Sequence, residues 1–262
     1  MNKKIGFIGA GKMVDHIVRG LLIYPEMKDS IIVVGRNLKK LELFNKGKGI
    51  EIDTDYSRLH ACDIIINGVS SSQVLDSFKQ IQHYTKADAL YVSIAADVSL
   101  EELGTTLPGY KVVRNMPNIA VSSQEGVMIM TGNKHVTEEE RSILTELFST
   151  IALVEWVDES LIKYAPSLTG SSPAYVFMMI EAMADKAVSV GFPRNQAYRL
   201  AAQAIRGAGK MVIDTELHPG MLKDQITTSG GSTIQGVMKL ESLGFRNSII
   251  QSMEEINKAN SK

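Results

Sequence analysis

Ile5-Gly6-Phe7-Ile8-Gly9-Ala10-Gly11-Lys12-Met13-Val14 decides the fold. The short apolar run bounded by glycine reads as a buried parallel strand. From Lys12 to about Ile23 the apolar residues Met13, Ile17, Leu21 and Leu22 recur at helical spacing. The stretch is a strand, a glycine turn and a helix. Gly9 permits the tight turn, Gly11 lets the backbone approach a pyrophosphate, and the helix N-terminus at Lys12 and Met13 offers free N–H groups and a partial positive charge. These features predict a dinucleotide site with the diphosphate on the first helical turn. The third fingerprint position, where Gly or Ala allows close helix–strand packing, is Val14. A tight loop in some other parallel sheet is the alternative reading.

Working outward, strand-like runs recur at Ile31–Gly35, Ile64–Val69, Leu90–Ile94, Lys111–Arg114, Gly126–Met130 and Ala152–Val157. Helical patterns separate several of them, at Leu38–Asn45, Ser71–His83 and Thr137–Thr150. This alternation builds a doubly wound, Rossmann-type sheet over residues 1–158. Ser99 with Glu102, and Thr137 with Glu140, have capping-box spacing, which gives two helix starts a physical mechanism.

The end of the second strand bears on the nucleotide. An NAD site usually places Asp or Glu there to bond the ribose 2′-hydroxyl. This chain reads Val34-Gly35-Arg36-Asn37, with Lys39 and Lys40 close behind. No carboxylate stands there to repel a 2′-phosphate, and Arg36 would clamp one through charge-assisted hydrogen bonds. NADPH is expected over NADH, with NADH still usable. The bland reading of Arg36, Lys39 and Lys40 is a solvated helix face.

Beyond Glu159 the strand-like runs stop. Helical patterns follow at Ser160–Leu168, Pro173–Val190, Arg194–Val212, Met221–Thr227, Ser232–Leu243 and Arg246–Ala259, which predicts an all-α domain over residues 159–262. The helix opened by Pro173 is apolar around most of its circumference from Ala174 to Ala184. In so small a domain this points to burial against a second copy, so a homodimer or a higher oligomer built from dimers is expected. Asp224-Gln225-Ile226-Thr227-Thr228-Ser229-Gly230-Gly231-Ser232-Thr233-Ile234 sets two glycines among five hydroxyl residues just before a helix. By the physics of the first turn this is an anion site with a carboxylate as its natural ligand; a plainly capped loop is the alternative.

The chain of 262 residues is 44% hydrophobic and 22% charged, an ordinary globular composition. A formal net charge of -1 gives no electrostatic reason to expect nucleic acid or an anionic membrane as partner. No apolar run approaches the roughly 18 residues that cross a bilayer. The lone cysteine, Cys62, sits in an apolar run and reads as packing, so no internal disulfide forms. The five histidines show no metal-ligand spacing, and no metal is expected; a Gly-x-Ser-x-Gly hydrolase turn is absent. A cytoplasmic protein acting on a small molecule is expected.

Several motifs in register carry a resemblance. They are Gly6–Met13, Val113-Arg114-Asn115-Met116-Pro117-Asn118, Gln124-Glu125-Gly126, Gly170-Ser171-Ser172-Pro173-Ala174-Tyr175, His218–Asp224 running into Gly230–Ile234, and Leu240–Arg246. Along essentially its whole length the chain resembles the pyrroline-5-carboxylate reductase family. The resemblance implies hydride transfer from NAD(P)H to the C=N carbon of a cyclic imine carboxylate in proline biosynthesis. It also implies a site formed between the nucleotide domain of one subunit and the helical domains of a dimer. By position, Thr233 would hydrogen-bond the ring nitrogen, the backbone around Gly231 and Ser232 with the Thr228 hydroxyl would hold the substrate carboxylate, and Glu216 matches an acidic position near that pocket. Cofactor contacts would fall at Gly9, Gly11, Lys12, Met13, Arg36, Asn37, Val69, Ser70 and Asn118.

The chain departs from the usual family pattern at the loops. Gly68-Val69-Ser70-Ser71 stands where Ala-Val-Lys-Pro is usual, and Asp97, Ser172 and Ser229 stand where Gly, Gly and Pro are usual; Lys12 often corresponds to Asn. Changes at cofactor and substrate loops are what a shifted substrate would produce. Two other readings therefore stay open: a reductase of another cyclic imine or imino acid, and a non-catalytic dinucleotide-binding paralogue.

Overall fold

The structure is a computed structural model that describes residues 3–260. Contacts divide the chain between Gly170 and Ser171 into two units.

The first unit holds one sheet of eight strands, in the order β3-β2-β1-β4-β5-β6-β7-β8. They are β1 (Ile5–Ile8), β2 (Ile31–Val34), β3 (Glu51–Asp53), β4 (Ile64–Asn67), β5 (Leu90–Ser93), β6 (Lys111–Pro117), β7 (Gly126–Gly132) and β8 (Ala152–Trp156). β1 to β6 are parallel, and the strand order reverses between β1 and β4. The helices are α1 (Lys12–Leu21), α2 (Leu38–Asn45), α3 (Ser71–Ile81), α4 (Leu100–Thr106), α5 (Glu138–Ser149) and the short α6 (Glu159–Ile162). Each central strand is buried on both faces. Ile5, Phe7, Ile31, Val33, Ile64 and Ile66 pack with α1, α2 and α5, while Ile8, Ile32, Val34 and Ile65 pack with α3 and α4. This is why β2 and β4 read as near-continuous Ile/Val runs and β1 as an apolar one broken only by Gly6.

Three features depart from the sequence expectation. β3 was not expected, because Glu51-Ile52-Asp53 offers a single apolar residue at a sheet edge. β7 runs antiparallel to β6, since the short 118–125 connection cannot make the dozen-residue crossover that a parallel pair requires. In place of a helix over Ser160–Leu168 there is α6 followed by a π-helical turn, Pro166–Gly170, because Pro166 has no N–H to continue the ladder. Both capping boxes form, at Ser99–Glu102 and Thr137–Glu140. The contact division also falls later than 158/159. Asn118 Nδ2 donates to the Thr169 carbonyl (3.1 Å), which ties the π-helical turn to β6's end.

The second unit is helical: α7 (Ser172–Ser189), α8 (Arg194–Thr215), α9 (Pro219–Gln225), α10 (Ser232–Ser242) and α11 (Phe245–Asn260). Pro173 lies in the first turn of α7, where its missing N–H costs nothing. On α7 only Ala184 is buried, while Phe177 is 56% and Met178 68% exposed. An apolar helix left this open lacks the burial its composition calls for.

Candidate functional site

At the C-terminal ends of β1, β2 and β4, where the strand order reverses, lies a cleft of about 350 Å³. This is the switch-point position at which open α/β sheets bind ligands. Its floor is backbone and glycine, with Gly9, Ala10 and Gly11 from the first turn, Gly35 after β2 and Gly68 after β4. Gly9 has φ +87°, and a Cβ there would sit 3.2 Å from Val69 Cγ1; a Cβ on Gly11 would sit 3.3 Å from the Gly68 carbonyl oxygen. A side chain at either position would fill the cradle. Gly11 is the N-cap of α1 and brings no side-chain cap, so the first-turn N–H groups remain free for a ligand. The residues present thus fit a dinucleotide diphosphate at this helix end.

Val14 is fully buried on α1, and a Cβ on Gly68 would lie 2.1 Å from its Cγ2. The close helix–strand approach normally secured by a small residue on the helix is secured here by a glycine on the strand side.

Arg36, Asn37, Val69 and Ser70 also line the cleft. Arg36 is exposed at the mouth of β2 and free to meet a phosphate. The Asn37 side chain accepts from Lys40 N–H (3.0 Å) as the cap of α2, which commits its carbonyl oxygen. Lys12 and Met13 stand in the first turn of α1 beyond the cleft wall. Asn118 is set apart from the cleft. Only 7% exposed, its Oδ1 accepts from Ala120 N–H and Val127 N–H (both 3.2 Å), and its amide nitrogen donates to the Thr169 carbonyl.

In the helical unit the chain turns at Gly230 (φ +71°) and enters α10 with Gly231 as an N-cap that has no side chain. Gly231 N–H donates to the Thr228 carbonyl (3.0 Å), and a Cβ on Gly231 would meet Thr228 Oγ1 at 2.5 Å. Thr228, Gly231, Ser232 and Thr233 are therefore brought together at one helix end. The Gly231 N–H is already committed, which leaves the N–H groups of Ser232 and Thr233 and the hydroxyls as the donors this helix end could offer an anion. Glu216 caps α8 in the left-handed region (φ 55°), one of two non-glycine residues there among the described residues. A Glu in that conformation is uncommon and marks a constrained position.

Comparison with known proteins agrees with this geometry. Residues 159–262 match a family model described as pyrroline-5-carboxylate reductase dimerisation, and residues 4–97 match one described as NADP oxidoreductase, coenzyme F420-dependent. The pyrroline-5-carboxylate reductase of Escherichia coli K12 is 39% identical over 97% of this chain and 95% of its own length. That of Methanosarcina acetivorans is 38% identical over 97% and 96%. The chain belongs to the pyrroline-5-carboxylate reductase family. Among solved structures, the reductase from Coxiella burnetii superposes with a TM-score of 0.89 at 27% identity, covering 100% of this chain and 98% of that one. A Plasmodium falciparum pyrroline carboxylate reductase with NADP bound gives 0.85 at 25% identity, covering 99% and 97%.

Within this family frame, two of the departing residues meet: Ser71 Oγ donates to Asp97 Oδ2 (3.1 Å). Tyr56 and Gln73 also line the cleft and were not singled out from sequence. Tyr56 follows the unpredicted β3 in a 3₁₀ turn, so its place depended on a strand with no apolar signature. Gly35 and Gly68, closing the ends of two apolar strands, were the available signal.

Proposed function

We propose that this chain reduces 1-pyrroline-5-carboxylate to proline with NADPH as the preferred reductant. The observation that carries this is the match, along 95–97% of the chain, to curated pyrroline-5-carboxylate reductases. The glycine-floored cleft and the α10 terminus provide the two binding elements the reaction needs.

When bound, a reduced nicotinamide would supply the hydride for the C=N carbon, and one proton would complete the ring amine. The protein's work is placement, because a protonated imine carbon is already electrophilic. Gly9, Gly11, Lys12 and Met13 hold the diphosphate at the start of α1. Arg36 takes the 2′-phosphate, and Val69 and Ser70 wall the cleft. The N–H groups of Ser232 and Thr233, with the Thr228 hydroxyl, bind the substrate carboxylate beside Gly231. The Thr233 hydroxyl accepts from the N–H of the protonated imine and donates to the amine nitrogen once the hydride has reached the carbon. Glu216 contributes a negative charge that favours the protonated imine. Asn118 supports the site by holding the 118–127 connection and Thr169.

The dimerisation match over residues 159–262 and the exposed apolar residues of α7 support assembly as a homo-oligomer, with a dimer as its unit. Among the described residues no helix is long and apolar enough to cross a membrane. A cytoplasmic enzyme without a nucleic-acid partner fits this reading and the near-neutral charge.

NADPH carrying deuterium at both C4 positions of the nicotinamide tests the reaction. The proline formed should carry one deuterium on the ring carbon that was double-bonded to nitrogen. Proline formed without label, or no proline from enzyme that binds NADPH, would contradict the reading. Thr233→Ala should lower turnover by roughly tenfold, corresponding to the loss of one hydrogen bond of about 1–3 kcal/mol in the transition state.

A further inference from the structure

The turn that walls the nucleotide cleft after β4 reads Gly68-Val69-Ser70-Ser71 and has no proline to fix its backbone. It leads into α3, whose N-cap Ser70 makes no side-chain capping bond and whose first turn holds no acidic residue. The Ser70 hydroxyl is instead shared with Ser72 (3.2 Å). The negative charge that a helix start favours comes from a different loop, because the Asp97 carboxylate accepts from the hydroxyl of Ser71, the first residue of α3.

Asp97 is itself held on both sides. The carbonyl of Ala96 accepts from Arg114 Nη2 (2.8 Å), and Arg114 is only 6% exposed. Arg114 Nη1 donates to Glu159 Oε1 (2.6 Å), and the same oxygen accepts from Leu100 N–H (3.0 Å). A buried guanidinium and its carboxylate thus pin residues 96 and 100, and Asp97 projects from the pinned loop to α3. The path runs from the buried Arg114 and its half-buried partner Glu159 through the β5–α4 loop to the wall of the cleft.

We propose that Asp97 is a positioning residue for the nucleotide site: through Ser71 it fixes the start of α3 and so the Val69–Ser70 wall. The proposal rests on the reading of the cleft as an NADPH site. Charge-assisted hydrogen bonds between two loops hold geometry more tightly than neutral ones, and here the geometry held is that of ligand-lining residues.

The test measures NADPH affinity by the change in nucleotide fluorescence on binding, in the full-length wild type and in Asp97→Ala, Ser71→Ala, the double variant and Asp97→Asn. Each alanine variant should weaken NADPH about threefold to tenfold, with KM for NADPH rising in parallel and KM for the imine fixed. The double variant should be no weaker than the worse single one, since both remove the same bond. Asp97→Asn keeps an acceptor oxygen but not the charge and should regain part of the affinity, binding NADPH more tightly than Asp97→Ala and less tightly than wild type. Unchanged NADPH affinity in both single variants would overturn the proposal, and so would single effects that multiply in the double variant. Because the readout is binding, a protein that binds NADPH yet reduces no imine would defeat the proposed function and leave this inference standing.

Discussion

Gly68 and Val14 share one side-chain volume: the Cβ that Gly68 lacks would fall 2.1 Å from the Cγ2 of Val14. A helix that presents valine at the third fingerprint position can still lie close to β4, provided the strand side gives up its own side chain. The two residues are complementary, and exchange at one is expected to be tolerated only with exchange at the other.

Gly68→Ala alone should destabilise the protein by about 1–3 kcal/mol, as overpacking a filled core does. Adding Val14→Ala should recover part of that loss instead of adding a full cavity cost. Urea unfolding of the two single variants and the double variant measures the coupling, and additive losses would contradict it.

Arg36→Ala should lower the preference for NADPH over NADH by roughly tenfold to a hundredfold, in line with about 1.5–3 kcal/mol for hydrogen bonds to a charged group. The change should appear in kcat/KM for NADPH while NADH is little affected. An unmoved preference would place the 2′-phosphate elsewhere, with Lys40, which also lines the cleft, as the next residue to test.

The Glu140 carboxyl is pushed up by burial, but hydrogen bonds from Lys111 and Thr137 outweigh this and hold it at about 2. Its Oε1 accepts from Lys111 Nζ (2.5 Å), and its side chain is only 15% exposed. A depressed carboxyl stabilises the fold above its unfolded value near 4.5, and the contribution is lost as pH falls towards about 2. Glu140→Gln should therefore be less stable than wild type at neutral pH by on the order of 1–2 kcal/mol. That gap should close between about pH 4.5 and pH 2 in denaturant titrations. A gap independent of pH would assign the effect to shape instead of charge.

Cys62 is fully buried, and burial, helped by Asp63, raises its thiol to about 11. An aromatic disulfide reagent should leave the native protein unlabelled at neutral pH and label one thiol per chain in denaturant, because the reactive thiolate is absent from the folded state. Rapid labelling of native protein would mean that the Cys62 packing opens readily.

Much of this architecture was legible in the chain because its determinants are local. Glycines at 9 and 11 between an apolar strand and a periodic helix declare the turn, and Ile/Val runs at β2 and β4 declare strands covered on both faces. The missed parts depend on partners distant in sequence. β3 exists because β2 offers an edge to pair with, and Tyr56 enters the cleft only through it. Nothing local tells that Val14 is accommodated by Gly68, that Asn118 is consumed by Ala120, Val127 and Thr169, or that the Gly231 N–H is already taken by Thr228. Departures at Ser71 and Asp97 were visible one by one, whereas the hydrogen bond between them arises only once β4 and β5 lie side by side in the folded sheet.

The central claim is tested most directly by following loss of the reduced-nicotinamide absorbance with 1-pyrroline-5-carboxylate, alongside its six-membered analogue, NADH and a control without imine. Turnover within the ordinary enzyme range, on the order of 1–1000 per second, is predicted with the five-membered imine, faster with NADPH than with NADH. Binding of NADPH without oxidation, or oxidation favouring the six-membered ring, would contradict it.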